Sequence, residues 1–271
     1  MNAPYPRLSS FSLLDKYTQA DGRIFLNGSQ ALVRLMLLQA QTDRLAGLNT
    51  GGFVSGYRGS PLGGVDQAFW AAQSVLEPAG IQFQPGLNED LAATAVWGSQ
   101  QVNLYPQAKV QGVFGLWYGK GPGVDRSLDV FKHANAAGTS PFGGVLLAAG
   151  DDHGAKSSTL PHQSDHVLKA AMMPILFPSN VQEILDYGLL GFALSRYCGA
   201  WVGFKLIADV VESSASVEVG PHRMAPQLPT DYDMPAGGLN IRWPDTALDQ
   251  EARLLDHKLY AALAFARVNS L

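Results

Sequence analysis

Three observations predict an α/β protein built as a doubly wound, mostly parallel sheet with helices on both faces. Short runs rich in β-branched and aromatic residues alternate with helical stretches along most of the chain. Those runs are near-continuously apolar, as strands covered on both faces must be. Segments rich in glycine, serine and charge follow the runs, at the carboxyl edge where sheets of this kind gather ligands. With 271 residues, 46% of them hydrophobic and 15% charged, the chain can bury a substantial core as one large domain or two small ones.

Residues 1–28 read as a loosely structured lead-in. Met1-Asn2-Ala3-Pro4-Tyr5-Pro6 is polar and proline-broken, without the basic-then-apolar order of a secretory leader. Asp21-Gly22-Arg23 reads as a turn and Ile24-Phe25-Leu26 as a brief extended piece. From Ser29 to Ala46, Leu32, Leu35, Met36 and Ala40 recur at helical spacing, with Ser29 as the expected cap and Gly47 past the end. Gly52–Tyr57 is a buried strand, Val65–Leu76 helical, Ile81–Gln84 extended and the alanine-rich Glu89–Gln101 helical. Further strands are expected at Val110–Trp117, Gly144–Ala149, Ile175–Phe177 and Trp201–Ile207. Helices are expected at Val124–Ala136, Asp165–Met172 and Val181–Arg196. The unit spanning 29–213 is thus the α/β domain. Residues 214–271 form a proline- and glycine-rich arm, Gly220–Pro244, and a last helix, Thr246–Arg267. The final residues stop on a helical turn without a polar tail, so the chain is expected to lead into further domains.

Composition removes several classes of function. A net charge of -4 with scattered Lys and Arg offers no basic face for phosphate neutralisation, so nucleic acid is not an expected partner. Cys198 is the sole cysteine; it can close no disulfide within the chain and cannot alone hold an iron–sulfur cluster. It reads as a buried structural thiol in a cytoplasmic protein. The longest apolar stretches, such as Ala31–Leu38, are interrupted by Arg34 and fall short of the roughly 20 residues of a membrane span.

Four segments carry candidate chemistry. Tyr57-Arg58-Gly59-Ser60-Pro61 follows the first long strand, Asn88-Glu89 the second, Gly119-Lys120-Gly121-Pro122-Gly123-Val124-Asp125-Arg126 the third and Gly150-Asp151-Asp152-His153 the fourth. The carboxylate of Glu89 in a first helical turn is favoured by the helix dipole alone, by up to about 1 kcal/mol. The glycines of the third segment can expose backbone N–H groups to an anion, reinforced by Lys120 and Arg126. Their Gly-x-Gly-x-Gly spacing is neither the dinucleotide fingerprint nor a phosphate loop. The fourth segment, continuing through Lys156, Ser157, His162, Asp165 and His166, matches no zinc spacing and reads as polar loop wiring, so no metal site is assigned. Gly150-Asp151 with Asn180 mimics a magnesium-diphosphate motif, but Asp152 stands where that motif has glycine. No Gly-x-Ser-x-Gly elbow is present.

Taken together and in order, Gly56–Pro61, Asn88-Glu89, Tyr118–Arg126 and Gly150–Ser158 give the chain, over about Leu14 to Asp209, a resemblance to the N-terminal, aminopyrimidine-binding domain of indolepyruvate ferredoxin oxidoreductase. That domain belongs to the 2-oxoacid:ferredoxin oxidoreductases and has the pyrimidine-type thiamine diphosphate-binding fold. The resemblance implies that Glu89 is the catalytic carboxyl that hydrogen-bonds N1′ of the cofactor's aminopyrimidine. Such a carboxyl must share or hold a proton, which desolvation in an apolar crevice favours. It implies cofactor or substrate contacts for Ser60, Gly59 and Tyr57. Arg58 departs from the proline of shorter relatives and either pairs with a carboxylate or makes a structural salt bridge. Lys120, Gly121 and Gly123 are further candidates for anion or substrate contact. The implied reaction is oxidative decarboxylation of a 2-oxo acid, such as indolepyruvate, to an acyl-CoA. Magnesium, diphosphate, iron–sulfur and coenzyme A sites would then lie in other domains or subunits. Ferredoxin would be the electron-accepting partner, and the enzyme at least a homodimer. The chain by itself would be inactive. Two other readings stay open: a nucleotide- or phosphate-binding α/β protein using Gly119–Gly123, and a non-catalytic scaffold subunit.

Overall fold

The computed structural model describes residues 12–220 and 222–271, so the reading of Met1–Pro6 falls outside the described residues. In chain order the elements are α1 (Asp15–Thr18), β1 (Gly22–Asn27), α2 (Gly28–Leu45), β2 (Thr50–Gly56), α3 (Val65–Ala71), α4 (Gln73–Leu76), β3 (Ile81–Phe83) and α5 (Glu89–Ser99). There follow β4 (Gly112–Lys120), α6 (Gly121–Arg126), α7 (Leu128–Ala137), β5 (Val145–Asp151), α8 (Asp165–Ala170), β6 (Ile175–Leu176) and α9 (Val181–Cys198). The last are β7 (Val202–Ile207), α10 (Ala208–Val211), β8 (Ser214–Val219), α11 (Ala247–Arg253) and α12 (Leu259–Val268), with a π-helical turn at Leu254–Lys258 joining the final pair.

Six strands form one sheet in the order β3-β2-β4-β5-β7-β6, with every neighbouring pair parallel. This is the α/β architecture read from the sequence. Period-two alternation divides each central strand between two cores. On β4, Phe114, Leu116 and Tyr118 join the core shared with α2, α3 and α9, while Trp117 joins the one shared with α5, α7 and α8. On β5, Leu146 and Ala148 face the first core and Val145, Leu147 and Ala149 the second.

Several boundaries differ from the sequence reading, each for a local reason. The cap of α2 is Asn27, not Ser29: Asn27 accepts the Gln30 N–H at 2.8 Å while Gln30 accepts the Asn27 N–H at 3.1 Å, a reciprocal capping box. Over Gly22–Asn27 the lead-in is not loose, because β1 pairs antiparallel with β8, a strand the sequence reading ended before. That ribbon buries one face only, through Ile24, Leu26, Val217 and Val219, so neither strand has the continuous apolar character that marks the main sheet. The first core draws on Tyr17 and Ile24 before residue 29, and on Val217, Leu239, Ala261 and Phe265 after residue 213. Cys198 is fully buried, and burial pushes its thiol up to about 11. No helix among the described residues is long and apolar enough to cross a membrane.

Candidate functional site

The chain leaves β2 for β3 toward one edge of the sheet and β4 for β5 toward the other. Adjacent β2 and β4 therefore flank the switch point, where a crevice opens beyond the strand carboxyl ends. The segment after β2 crosses this opening. Tyr57 N–H donates to the Tyr118 carbonyl at 3.0 Å, and Gly86 N–H to the Gly56 carbonyl at 2.8 Å, which pins the start of the segment between β4 and the approach to α5. A Cβ on Gly59 would lie 3.1 Å from the Lys120 Cβ, and one on Gly150 would lie 2.8 Å from Leu62 Cγ, so residues 59–62 run over the ends of β4 and β5. Tyr57 and Arg58 are exposed, Gly59 and Ser60 half-buried, and the Ser60–Pro61 bond is cis. Arg58 makes no ion pair among the described residues.

Glu89 is the first residue of α5. Asn88 caps the helix by accepting the Leu91 N–H at 2.9 Å, and the Trp117 indole N–H donates to the Glu89 carbonyl at 3.1 Å. The half-buried Glu89 side chain lies across the face of Gly123, where a Cβ would come within 2.5 Å of its Cγ and 2.9 Å of its Oε1. No hydrogen bond from the described residues reaches its carboxyl oxygens. Next to it, Asp90 accepts from Arg126 Nε at 2.8 Å and Ser127 Oγ at 3.0 Å. That hydrogen bond raises the Arg126 guanidinium further above its ordinary value. Leu87 and Leu91 flank Glu89 on the open side and are exposed, Leu87 by 86%.

The glycine segment is not a loop. β4 runs to Lys120 and α6 begins at Gly121, with Pro122 in its first turn. Its glycines make room for side chains: a Cβ on Gly119 would overlap the Trp117 ring, one on Gly121 the His162 ring and one on Gly123 the Glu89 carboxyl group. The space at these three Cα atoms is therefore taken by the side chains of Trp117, His162 and Glu89. Lys120 Nζ is engaged too, donating to the Ser157 carbonyl at 3.0 Å and hydroxyl at 3.3 Å.

The fourth segment is internally wired. Asp152 accepts the N–H groups of Ser157 and Lys156, each at 3.0 Å, and the Ser157 bond is foremost in holding its carboxyl below the usual range. Asp151 is buried and accepts from the Ser164 hydroxyl at 2.6 Å and N–H at 2.9 Å. Lys205, 3.7 Å away, also bonds Asp165 at 2.6 Å. His162 Nε2 lies 2.8 Å from Asp125 Oδ2, closing the segment onto α6, and its Nδ1 faces Asp151 at 3.7 Å. His153 is exposed, and Asn180 caps α9 by accepting the Glu183 N–H. No group of three or more His, Cys, Asp or Glu among the described residues is arranged to hold a metal ion.

No family model matches the chain. It is 28% identical over 205 residues to the indolepyruvate oxidoreductase subunit IorA of Methanothermobacter marburgensis, covering 75% of this chain and 29% of that protein. With IorA of Pyrococcus abyssi it is 26% identical over 180 residues, covering 66% of this chain and 24% of that one. Its fold matches a 2-oxoglutarate:ferredoxin oxidoreductase from Magnetococcus marinus, solved with 2-oxoglutarate, coenzyme A and succinyl-CoA, at a TM-score of 0.57 and 14% identity. The match covers 91% of this chain and 45% of that one. In sequence the chain is similar to part of the indolepyruvate oxidoreductase subunit IorA, and in fold to part of a 2-oxoglutarate:ferredoxin oxidoreductase. The chain spans less than a third of the curated relatives it matches. In it the structure brings Glu89 and Gly123 together on one side of α6, and Gly59 and Lys120 at the end of β4; Gly121 faces His162 instead. Three features of the domain escape a sequence reading. The Asp90 clasp and the His162 contact join residues 36 and 37 apart. The buried Tyr118 hydroxyl donates to Asp66 at 2.6 Å, and burial above all pushes that phenol far up. For His162 the only signal was the density of Asp and His in its segment.

Proposed function

We propose that this domain is the aminopyrimidine-binding half of a thiamine diphosphate-dependent 2-oxoacid:ferredoxin oxidoreductase, with Glu89 as its catalytic carboxyl. The observation that carries the reading is the Glu89 side chain itself. It stands at the switch-point crevice with no hydrogen-bond partner among the described residues, over a glycine whose missing Cβ leaves it room. A hydrogen-bonding group for a flat heterocycle needs this combination of free oxygens and an unobstructed face. When bound, thiamine diphosphate supplies the nucleophilic carbon and the electron sink that decarboxylation of a 2-oxo acid requires. Glu89 would hydrogen-bond N1′ of the aminopyrimidine, with a covering domain closing the crevice over it. The exposed Leu87 and Leu91 beside it suit such a cover.

Ser60, with Tyr57 and Gly59, lines the same opening and is proposed to contact cofactor or substrate. Arg58, exposed and unpaired among the described residues, is the better candidate for the substrate carboxylate. Lys120 is already bonded to Ser157 and supports the wall. The names of the relatives favour an aryl pyruvate such as indolepyruvate as substrate, with ferredoxin as acceptor and an acyl-CoA as product. Magnesium, diphosphate, iron–sulfur and coenzyme A sites are assigned to other domains or subunits, and the active form to a homodimer or larger assembly in the cytoplasm. Residues 29–213 form the cofactor-facing unit in this reading, and 214–271 its connection onward.

The test is Glu89→Gln in the complete enzyme, read by 2-oxo acid-dependent ferredoxin reduction and by exchange of the C2 proton of bound thiamine diphosphate. Loss of both with an unchanged melting temperature is expected. Wild-type exchange in the variant would overturn the assignment. Full activity after replacing Glu89 and Ser60 together would favour the scaffold reading.

A further inference from the structure

The carboxylate next to Glu89 makes contacts that reach from the first turn of α5 to the end of α6. Both oxygens of Asp90 are bound: Oδ2 by Arg126 Nε at 2.8 Å and Oδ1 by Ser127 Oγ at 3.0 Å. The Arg126 and Asp90 side chains are 53% and 35% exposed, and such ion pairs contribute about 0–1 kcal/mol to folding. The clasp does have a geometric effect. Arg126 ends α6, and Ser127 is the buried hinge between α6 and α7. The same helix presents Gly123, whose bare Cα receives the Glu89 side chain. Asp90 therefore ties the first turn of α5 to the helix on which the Glu89 carboxyl rests. Trp117 holds the Glu89 carbonyl from beneath at 3.1 Å. The far side of α6 is fixed by His162 on Asp125 at 2.8 Å. The helix is held on both sides, and the register of Glu89 against it depends on Asp90.

We propose that Asp90 is a positioning residue, acting with Arg126 and Ser127 to set where the Glu89 carboxyl meets the cofactor. The proposal rests on the reading of Glu89 given above. Loss of the clasp frees the first turn of α5, and a displacement of about 1 Å at a reacting group is enough to lower a rate about 100-fold.

The experiment uses the complete enzyme with Asp90→Asn, Ser127→Ala and Arg126→Met, the double variant Asp90→Asn/Ser127→Ala, and Glu89→Gln as reference. Melting temperature, C2-proton exchange of bound thiamine diphosphate, and kcat and KM for the 2-oxo acid are measured for each. Exchange and kcat are expected to fall about 10- to 100-fold in Asp90→Asn, with KM and melting temperature nearly unchanged. Ser127→Ala should give a smaller loss that does not add to it, because both variants open one clasp. Wild-type exchange in Asp90→Asn alongside abolished exchange in Glu89→Gln would overturn the positioning role and leave the Glu89 reading standing. Wild-type exchange in Glu89→Gln would remove both. A fall in exchange matched by a fall in melting temperature across the series would make Asp90 a structural residue only.

Discussion

At Gly123 one methyl group decides where the Glu89 carboxyl can lie. The position is helical, without a positive φ, so alanine fits the backbone and by propensity alone would stabilise the helix by about 1 kcal/mol. The added Cβ would nevertheless come 2.5 Å from Glu89 Cγ, and the flexible side chain has to move. Gly123→Ala should therefore change the melting temperature little while lowering turnover of the complete enzyme about 10- to 100-fold. Equal turnover would show that the carboxyl is not bound to that face. Glu89 could be singled out from the sequence as a first-turn carboxylate through the resemblance that Asn88-Glu89 carries together with the neighbouring segments. The residue beneath it could not, since 34 positions separate the two and their contact exists only through the packing of α5 on α6.

At the scale of elements, two polar contacts hold helices in place. Arg196 on α9 grips Asp43 on α2 with both terminal nitrogens, at 2.7 and 2.8 Å, while Thr50 at the start of β2 donates to the same carboxylate at 2.6 Å. Asp43 is 2% exposed and the Arg196 side chain 17%, so Asp43→Ala would leave a half-buried guanidinium without its counter-charge, at a cost of about 3 kcal/mol. The cluster lies at the amino edge of the sheet, so denaturant unfolding should report that loss while kcat below the melting range stays unchanged. The second contact caps α7. Lys258, fully buried at the end of the π-helical turn, donates to the Asn135 carbonyl at 3.0 Å and the Ala136 carbonyl at 2.9 Å. Burial, with the nearby Arg253 charge, lowers its ammonium to about 7. The unfolded chain keeps that proton to about pH 10.4. Between those values the unfolded state binds more protons, so the free energy of unfolding should rise with pH, by on the order of a few kcal/mol. Denaturation curves from pH 7 to 10 should show this extra rise in the native sequence and lack it in Lys258→Met; identical pH slopes would refute it. The helix and its π-turn interruption contrast in legibility. The apolar spacing of 246–267 announces a helix, while the extra residue per turn that aims Lys258 at α7 follows from packing.

At the scale of the whole molecule, the α/β unit read between residues 29 and 213 shares its core with what flanks it. β1 pairs with β8 along six residue pairs, and Leu239, Ala261 and Phe265 are buried in the same cluster as Leu32, Leu116 and Phe204. Truncation after Ser213 would strip β1 of its partner and open that face to water. Such a fragment should be insoluble or lack a cooperative melting transition, whereas a soluble fragment with native-like circular dichroism would show that the arm is an accessory.

The sequence by itself determined the layered α/β architecture, because continuous apolar strands alternating with amphipathic helices have few ways to bury both sheet faces. It also determined the position of Glu89 after β3 in the first turn of a helix, since chain order is local. Tertiary structure alone decided which side chains fill the glycines of α6, that Lys120 is bonded within the wall, and that Asp90 and His162 hold α6 from opposite sides. Those contacts join residues dozens of positions apart, and their distances are set by how strands and helices pack.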